Sequence, residues 1–320
     1  MMKRNRERQT QMKKIDGLIV AAFTPMKEDG SINLRMVEPL YKYYRQNGIK
    51  GVFLNGSTGE GLSLTYNERL ELCEEWSRVV DTDFKLIVHI GSNSLNEAKE
   101  FATHAGKNGV DGISTIGPFY QKSSTVEILV EICAQVAAQV SDIPFYYYHI
   151  PVLTGIDFSM VDFMKHASEK IPTLAGLKFT DSDLSEYNLC RVFQNGKYDM
   201  LYGNDEMYLA GLATGAKGFI GSTYNLFPGL YQEIREAFEN NRMDRARELQ
   251  VKAIQFVKVL DKYNYNAASK AAMKMIGVDC GASRLPFQTL KGSQISNLSK
   301  DLEECGFFDY ALMAERTTGR

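Results

Sequence analysis

The sequence predicts a (β/α)8 TIM barrel with a C-terminal helical extension, and three observations carry the prediction. Eight short apolar runs recur along the chain, and amphipathic helical segments separate them. The first run is not followed by the GxGxxG turn that an open dinucleotide-binding sheet would carry. Continuous apolar strands alternating with helices indicate a parallel sheet covered on its faces, and eight such units close a barrel. An open doubly wound sheet is the competing fold.

The chain begins MMKRNRERQTQMKK and continues GLIVAAF, which superficially mimics a secretory signal. The apolar run is short and soon meets Thr24, Pro25, Lys27, Glu28 and Asp29, so residues 1–14 are expected to form a disordered basic tail. The barrel is expected over 15–235. Its strands are GLIVAAFTP from Gly17, GIKGVFLNG from Gly48, KLIVHIG from Lys85, GVDGISTIGP from Gly109, PFYYYHIP from Pro144, LAGLKFTD from Leu174, DMLYGND from Asp199 and GAKGFIGST from Gly215. Helices such as NERLELCEEWSRVV and VEILVEICAQVAAQV fall between them, and the pairs Thr65 with Glu68, Ser94 with Glu97 and Ser124 with Glu127 read as capping boxes. Beyond the strands, MDRARELQVKAIQFVKVLDKY, AASKAAMKMIGV and ISNLSKDLEECGFFDYALM carry helical periodicity alone, so residues 236–320 should form a helical extension packed beside the barrel.

Composition excludes several partners. With 320 residues, 44% apolar and 24% charged, and a formal net charge of -2, the chain is an ordinary globular sequence without the basic excess that attracts nucleic acid. No run approaches the ~20 apolar residues of a membrane span. Cys73, Cys133, Cys190, Cys280 and Cys305 are scattered, with no CxxC pair and no histidines at zinc-like spacing. They read as free thiols in a reducing, cytoplasmic setting, with no bound metal or other cofactor expected.

Barrel chemistry collects at the C-terminal ends of the strands. Those ends carry Asn55 to Glu60, then Tyr147, Tyr148 and His149, then Lys178 and Thr180, then Gly203, Asp205 and Glu206, and lastly Ser222 and Thr223. Lys178 stands alone in the apolar strand LAGLKFTD. A buried ammonium must reach solvent, find a carboxylate or give up its proton, and the last outcome makes a nucleophile. The structural alternative is an ion pair with Asp181 or Asp183, although Asp183 also suits a helix N-cap. GSTGEG is either a plain turn or, through its backbone N–H groups and the Ser57 and Thr58 hydroxyls, a cradle for a carboxylate or phosphate. In FYYYH, alternation sends Tyr146 and Tyr148 to one face and Tyr147 to the other. His89, His104 and His166 read as structural.

GSTGEG, YHIP from Tyr148, GLKFTDSD from Gly176, GNDE from Gly203 and IGSTYN from Ile220 together resemble the motifs of the N-acetylneuraminate lyases. These belong with dihydrodipicolinate synthase among the pyruvate-dependent class I aldolases, and the resemblance runs from about Lys14 to about Phe287. It implies a barrel with a helical extension, a homotetramer, and small-molecule substrates: sialic acid, pyruvate and N-acetylmannosamine. It implies Lys178 as Schiff-base lysine, Tyr148 as the group assisting proton transfer, and Ser57 and Thr58 as holders of the substrate carboxylate. Asp205 and Glu206 would accept hydrogen bonds from the sugar's hydroxyl tail, with Thr180, Gly203 and Ser222 completing the substrate-binding set. Tyr120 resembles a residue near a subunit boundary. No metal is needed, because the iminium is the electron sink.

Dihydrodipicolinate synthase is the competing activity within the resemblance. It usually places an arginine where this chain has Leu153, and leucine cannot hold a second carboxylate. His149 departs from the asparagine of many bacterial relatives. A non-catalytic keto-acid-binding barrel is the remote alternative, and the completeness of the site speaks against it.

Overall fold

The structure, a computed structural model, describes residues 14–311. The expected basic tail lies outside the described residues apart from Lys14, as does the end of the extension. Eight parallel strands close a barrel in sequence order. They are β1 (Gly17–Ala21), β2 (Gly51–Leu54), β3 (Lys85–His89), β4 (Gly112–Thr115), β5 (Phe145–His149), β6 (Leu174–Phe179), β7 (Asp199–Tyr202) and β8 (Gly218–Gly221). β8 returns to pair with β1, setting Ile220 opposite Ile19, so no sheet edge remains and the open-sheet alternative falls.

Two cores follow from the two faces of each strand. Ile19, Phe53, Ile87, Tyr146, Tyr148, Leu201 and Ile220 pack inside the barrel. Val20, Val52, Val88, Phe145, Tyr147, Leu177 and Phe179 pack outward against the helices. The period-2 reading of FYYYH therefore holds, with Tyr146 and Tyr148 inside.

The connections carry α1 (Val37–Gln46), α2 (Tyr66–Val79), α3 (Leu95–Lys107), α4 (Val126–Ala137), the single turn α5 (Pro151–Thr154), α6 (Met160–Lys170), α7 (Leu184–Gly196), α8 (Tyr208–Ala213) and α9 (Pro228–Glu239). Thr65 and Glu68 form the full capping box at α2. Ser94 caps α3 by accepting from the Glu97 N–H, while the Glu97 carboxylate turns to the Ser92 hydroxyl at 2.8 Å. The third box is displaced by one residue. Thr125, not Ser124, is the N-cap of α4 and accepts from the Ile128 N–H, because its extended backbone is where the helix begins. Asp183 caps α7, accepting from the Ser185 and Glu186 N–H groups.

The extension holds α10 (Met243–Asp261), α11 (Tyr265–Met275) and α12 (Ser293–Glu304), matching the three periodic segments. α9 runs through position 235/236, so as a unit of structure the extension begins after α9, and α10 packs along that helix. All five cysteines are free thiols. Among the described residues no helix is long and apolar enough to cross a membrane, and no cluster of three His, Cys, Asp or Glu side chains could hold a metal ion.

Candidate active site

Lys178 occupies the fifth position of β6, and the β5–β6 register sets Tyr148 directly beside it on the inner face. The lysine is 4% exposed. Its Nζ sits 4.0 Å from the centroid of the Phe53 ring and 3.9 Å from that of Tyr148. It makes no ion pair among the described residues. Both sequence-near carboxylates are engaged elsewhere: Asp183 caps α7, and Asp181 accepts from the Ser182 N–H at 2.5 Å and faces His149 Nε2 at 3.5 Å. Burial lowers the Lys178 pKa to about 7, with the Asp205 charge opposing the fall. A substantial share of the lysine is thus free amine near neutrality.

Burial pushes the Tyr148 phenol up to about 12, opposed by Ser57 and Thr180 beside it. Thr180 Oγ1 is itself buried and lacks a well-formed hydrogen bond, which leaves it able to turn to either the phenol or a ligand. Ser57 and Thr58 lie in the turn after β2, Ser57 exposed and Thr58 half-buried. Asn55 and Glu60 flank that turn at φ values of 58° and 54°, which fold the chain back on itself. The turn is fixed from beneath, since Thr24 donates to the Gly59 carbonyl at 2.6 Å and Glu60 receives Lys270 Nζ at 2.7 Å. The motif read as a possible ligand cradle is therefore a rigid one.

Across the mouth, Asp205 is buried, with Oδ2 accepting from the Thr223 N–H at 2.9 Å and hydroxyl at 2.6 Å. Its Oδ1 is buried and makes no well-formed hydrogen bond, with the Tyr224 hydroxyl nearby. Burial raises its pKa, while Thr223 and Lys178 hold it down. Glu206 is exposed by surface area, yet the protein mass around its carboxyl, with Asp205 beside it, raises its pKa too. Two glycines permit the close approach of these strand ends: a Cβ on Gly221 would stand 1.9 Å from Asp205 Oδ1, and one on Gly203 would stand 2.1 Å from Thr180 Oγ1. Ser222 Oγ lies 2.7 Å from the Tyr265 hydroxyl.

The site holds groups that the sequence reading placed elsewhere or passed over. His89 reads as structural, yet it ends β3 on the same face as Ile87, and its ring stands edge-on to Tyr148 with centroids 6.0 Å apart. Its Nδ1 lies 3.1 Å from the Asn55 carbonyl, which requires Nδ1 to carry the proton. Burial, with Arg69 and Lys178 nearby, depresses its pKa to about 3, so the imidazole is neutral. Strand alternation was the signal available for it. His104 and His166 do sit on helices, facing Glu74 and Glu127. His149 points out of the barrel onto Phe179, at a centroid distance of 5.0 Å. Leu153 is exposed on α5. Gln250 of α10 donates to the Asp205 carbonyl at 3.3 Å, a contact that helical periodicity could not reveal.

A closed (β/α)8 barrel with an unpaired lysine at its mouth, held between aromatic rings and deprotonated far more readily than an ordinary lysine, is built on the plan of a class I aldolase. Residues 14–305 match the model of the dihydrodipicolinate synthetase family, and the chain belongs to that family. It is 38% identical over 304 residues to the N-acetylneuraminate lyase of Homo sapiens, covering 93% of this chain and 95% of the relative. The corresponding protein of Pongo abelii gives the same identity over the same coverage. Among solved structures, the N-acetylneuraminate lyase of Proteus mirabilis superposes with a TM-score of 0.90 at 36% identity, covering 92% of this chain and all of that one.

Proposed function

We propose that the protein cleaves N-acetylneuraminate reversibly to N-acetylmannosamine and pyruvate through an imine on Lys178. The observation that carries this reading is the lysine itself, which is buried, unpaired and substantially neutral at a pH where an ordinary lysine is almost wholly charged. The Lys178 amine adds to the C2 ketone of the open-chain sugar acid, and loss of water gives a protonated imine. The C4 hydroxyl then loses its proton, the C3–C4 bond breaks, and its electron pair moves into the imine to form an enamine as N-acetylmannosamine departs. Protonation at C3 and hydrolysis release pyruvate and regenerate the amine.

The remaining residues divide the substrate between them. Ser57 and Thr58 receive the carboxylate. Tyr148, protonated at rest because its pKa is raised to about 12, serves as a proton relay at the reacting carbons and not as a resting base. Thr180 and Gly203 border the reacting carbons. Asp205, Glu206 and Ser222 accept or exchange hydrogen bonds with the hydroxyl tail. No metal or other cofactor enters these steps.

Exposed apolar side chains gather on the loops after β4 and β5, with Tyr120 at 80%, Val152 at 84% and Leu153 at 61% exposure. Such a surface suits a homotetramer in which a second subunit covers the mouth. The free thiols suit a cytoplasmic setting.

The test is pyruvate release from N-acetylneuraminate, coupled to capture of the imine by borohydride and mapping of the adduct to Lys178. Efficient condensation of pyruvate with aspartate semialdehyde, and no pyruvate from N-acetylneuraminate, would replace this reading with the synthase activity.

A further inference from the structure

α11 belongs to the extension, yet one of its side chains reaches the turn after β2. Lys270, 2% exposed, donates from Nζ to Glu60 Oε1 at 2.7 Å and to the Ala282 carbonyl at 2.6 Å. Glu60 Oε2 accepts from the Arg284 N–H at 2.8 Å, so the extension holds both oxygens of this carboxylate.

Glu60 also closes the turn. Its N–H donates to the Ser57 carbonyl at 3.0 Å, and the Gly61 N–H donates to the Gly56 carbonyl at 3.1 Å, which leaves Thr58 and Gly59 between the two closures. Making those bonds puts Glu60 at φ 54°, a left-handed conformation that a residue with a Cβ keeps only under restraint. Its doubly tied side chain supplies the restraint. Ser57, at the other end of the closure, stands beside the Tyr148 phenol. A line of contacts therefore runs from α11 through one carboxylate to the hydroxyls of the turn. Charge acts in the same direction. Glu60 lies three residues from Ser57, where an uncompensated anion would repel an incoming carboxylate, and the Lys270 ammonium cancels it.

We propose that Lys270 is a positioning residue for keto-acid binding, acting through Glu60 to keep the Ser57–Thr58 turn in the shape and at the charge that receive a substrate carboxylate. The proposal rests on the reading of that turn given above and assigns its support to the C-terminal extension.

The experiment compares two ketones on the full chain. Pyruvate and acetone can each form an imine on Lys178 that borohydride reduces to a stable amine, and acetone has a methyl group where pyruvate has its carboxylate. The wild type should form the pyruvate adduct faster per unit concentration of ketone. Lys270→Met should lower that rate about 10- to 100-fold for pyruvate, the range of a lost charge-assisted contact, and less than about twofold for acetone, with adduct still forming at saturating pyruvate. Glu60→Gln keeps the size of the side chain and gives up its charge, so pyruvate capture should slow about 3- to 10-fold, again sparing acetone. The double variant should be no more than about twofold worse than the poorer single one, because the two side chains act as a unit. A lysine that only stabilises the fold would slow both ketones by the same factor or neither, and either result overturns the proposal. Should Lys270→Met fail to fold, Glu60→Gln answers through the same two rates. A wild type that captures acetone as readily as pyruvate also overturns it, since the turn then holds no carboxylate, whereas capture of neither ketone would sink the imine on Lys178 beneath it.

Discussion

Lys178 at the barrel mouth and Lys270 at the seam between barrel and extension are almost equally buried, at 4% and 2% exposure. Their surroundings differ in one respect. Lys270 donates to the Glu60 carboxylate and the Ala282 carbonyl, whereas Lys178 meets two aromatic faces and no carboxylate within ion-pair distance. A partnered ammonium ties two segments together, and an unpartnered one sheds its proton easily. Burial alone does not make a lysine reactive; what shares the burial decides.

The sharpest way to break the comparison is one substitution made at both places. Lys178→Met should abolish imine capture and reduce turnover by at least about 10³-fold, since no other group can form the imine. It should also leave the protein more stable at neutral pH, by on the order of 1 to 3 kcal/mol, because an unpaired buried amine is replaced by an apolar chain of similar length. The linkage has a definite sign. Lys178 titrates at about 7 in the folded protein, below the 10.5 of an exposed lysine, so the unfolded chain binds the proton more tightly and this group makes stability rise with pH between those two values. That slope should be absent from Lys178→Met in denaturant titrations run across the window.

Lys270→Met should do the opposite. It leaves the Glu60 carboxylate buried without its cation, and a loss of about 3 to 5 kcal/mol is expected in urea unfolding. Borohydride capture at Lys178 should survive under conditions where the variant is folded. A Lys270→Met protein as stable as the wild type would remove the contrast.

Tyr148→Phe ranks next. It keeps the ring beneath Lys178 and removes the relay, so kcat should fall about 100-fold while KM changes little and the melting temperature moves by a few degrees at most. A core tyrosine without a proton to move would give the reverse, with near-normal kcat and lowered stability.

The smallest effect sharpens the comparison most finely. The acid limb of kcat/KM should reflect the Lys178 amine, rising with pH to a plateau above about 7. Phe53→Leu removes one of the two ring faces that favour the ammonium, so the limb should move to lower pH by about half a unit, the equivalent of a modest cation–π contact. A shift to higher pH would mean that the ring acts mainly by excluding water.

The eight strands were legible because each is a continuous apolar run, and Lys178 because it interrupts one of them. Its partnership was not legible. Asp181 and Asp183 lie three and five residues away along the chain, but the turn after β6 spends them on a helix cap and on backbone N–H groups. Ser124 and Thr125 both fit a cap, and only the backbone at Thr125 decides between them. Glu60 looked like part of a ligand loop, yet its carboxylate is taken up in holding Lys270, 210 positions distant. Tyr265 and Gln250 were hidden for the same reason, because an amphipathic pattern identifies a buried face without naming what it is buried against. His89 was hidden by type, since a histidine without metal-binding neighbours reads as inert until strand alternation places it inside the barrel.

On the proposed mechanism, the pair of rings around Lys178 has a role that begins only when substrate arrives. The resting lysine is partly neutral, but in the reaction proposed above the imine carries a positive charge through bond cleavage, and there it is useful as an electron sink. The faces of Phe53 and Tyr148, 4.0 Å and 3.9 Å from Nζ, present the negative side of their quadrupoles to that position. Unlike a carboxylate, they attract a cation without offering it a base. The site thus opposes charge on the resting lysine through dehydration and tolerates it on the intermediate through polarisable walls, giving the intermediate a cushion that no proton can neutralise.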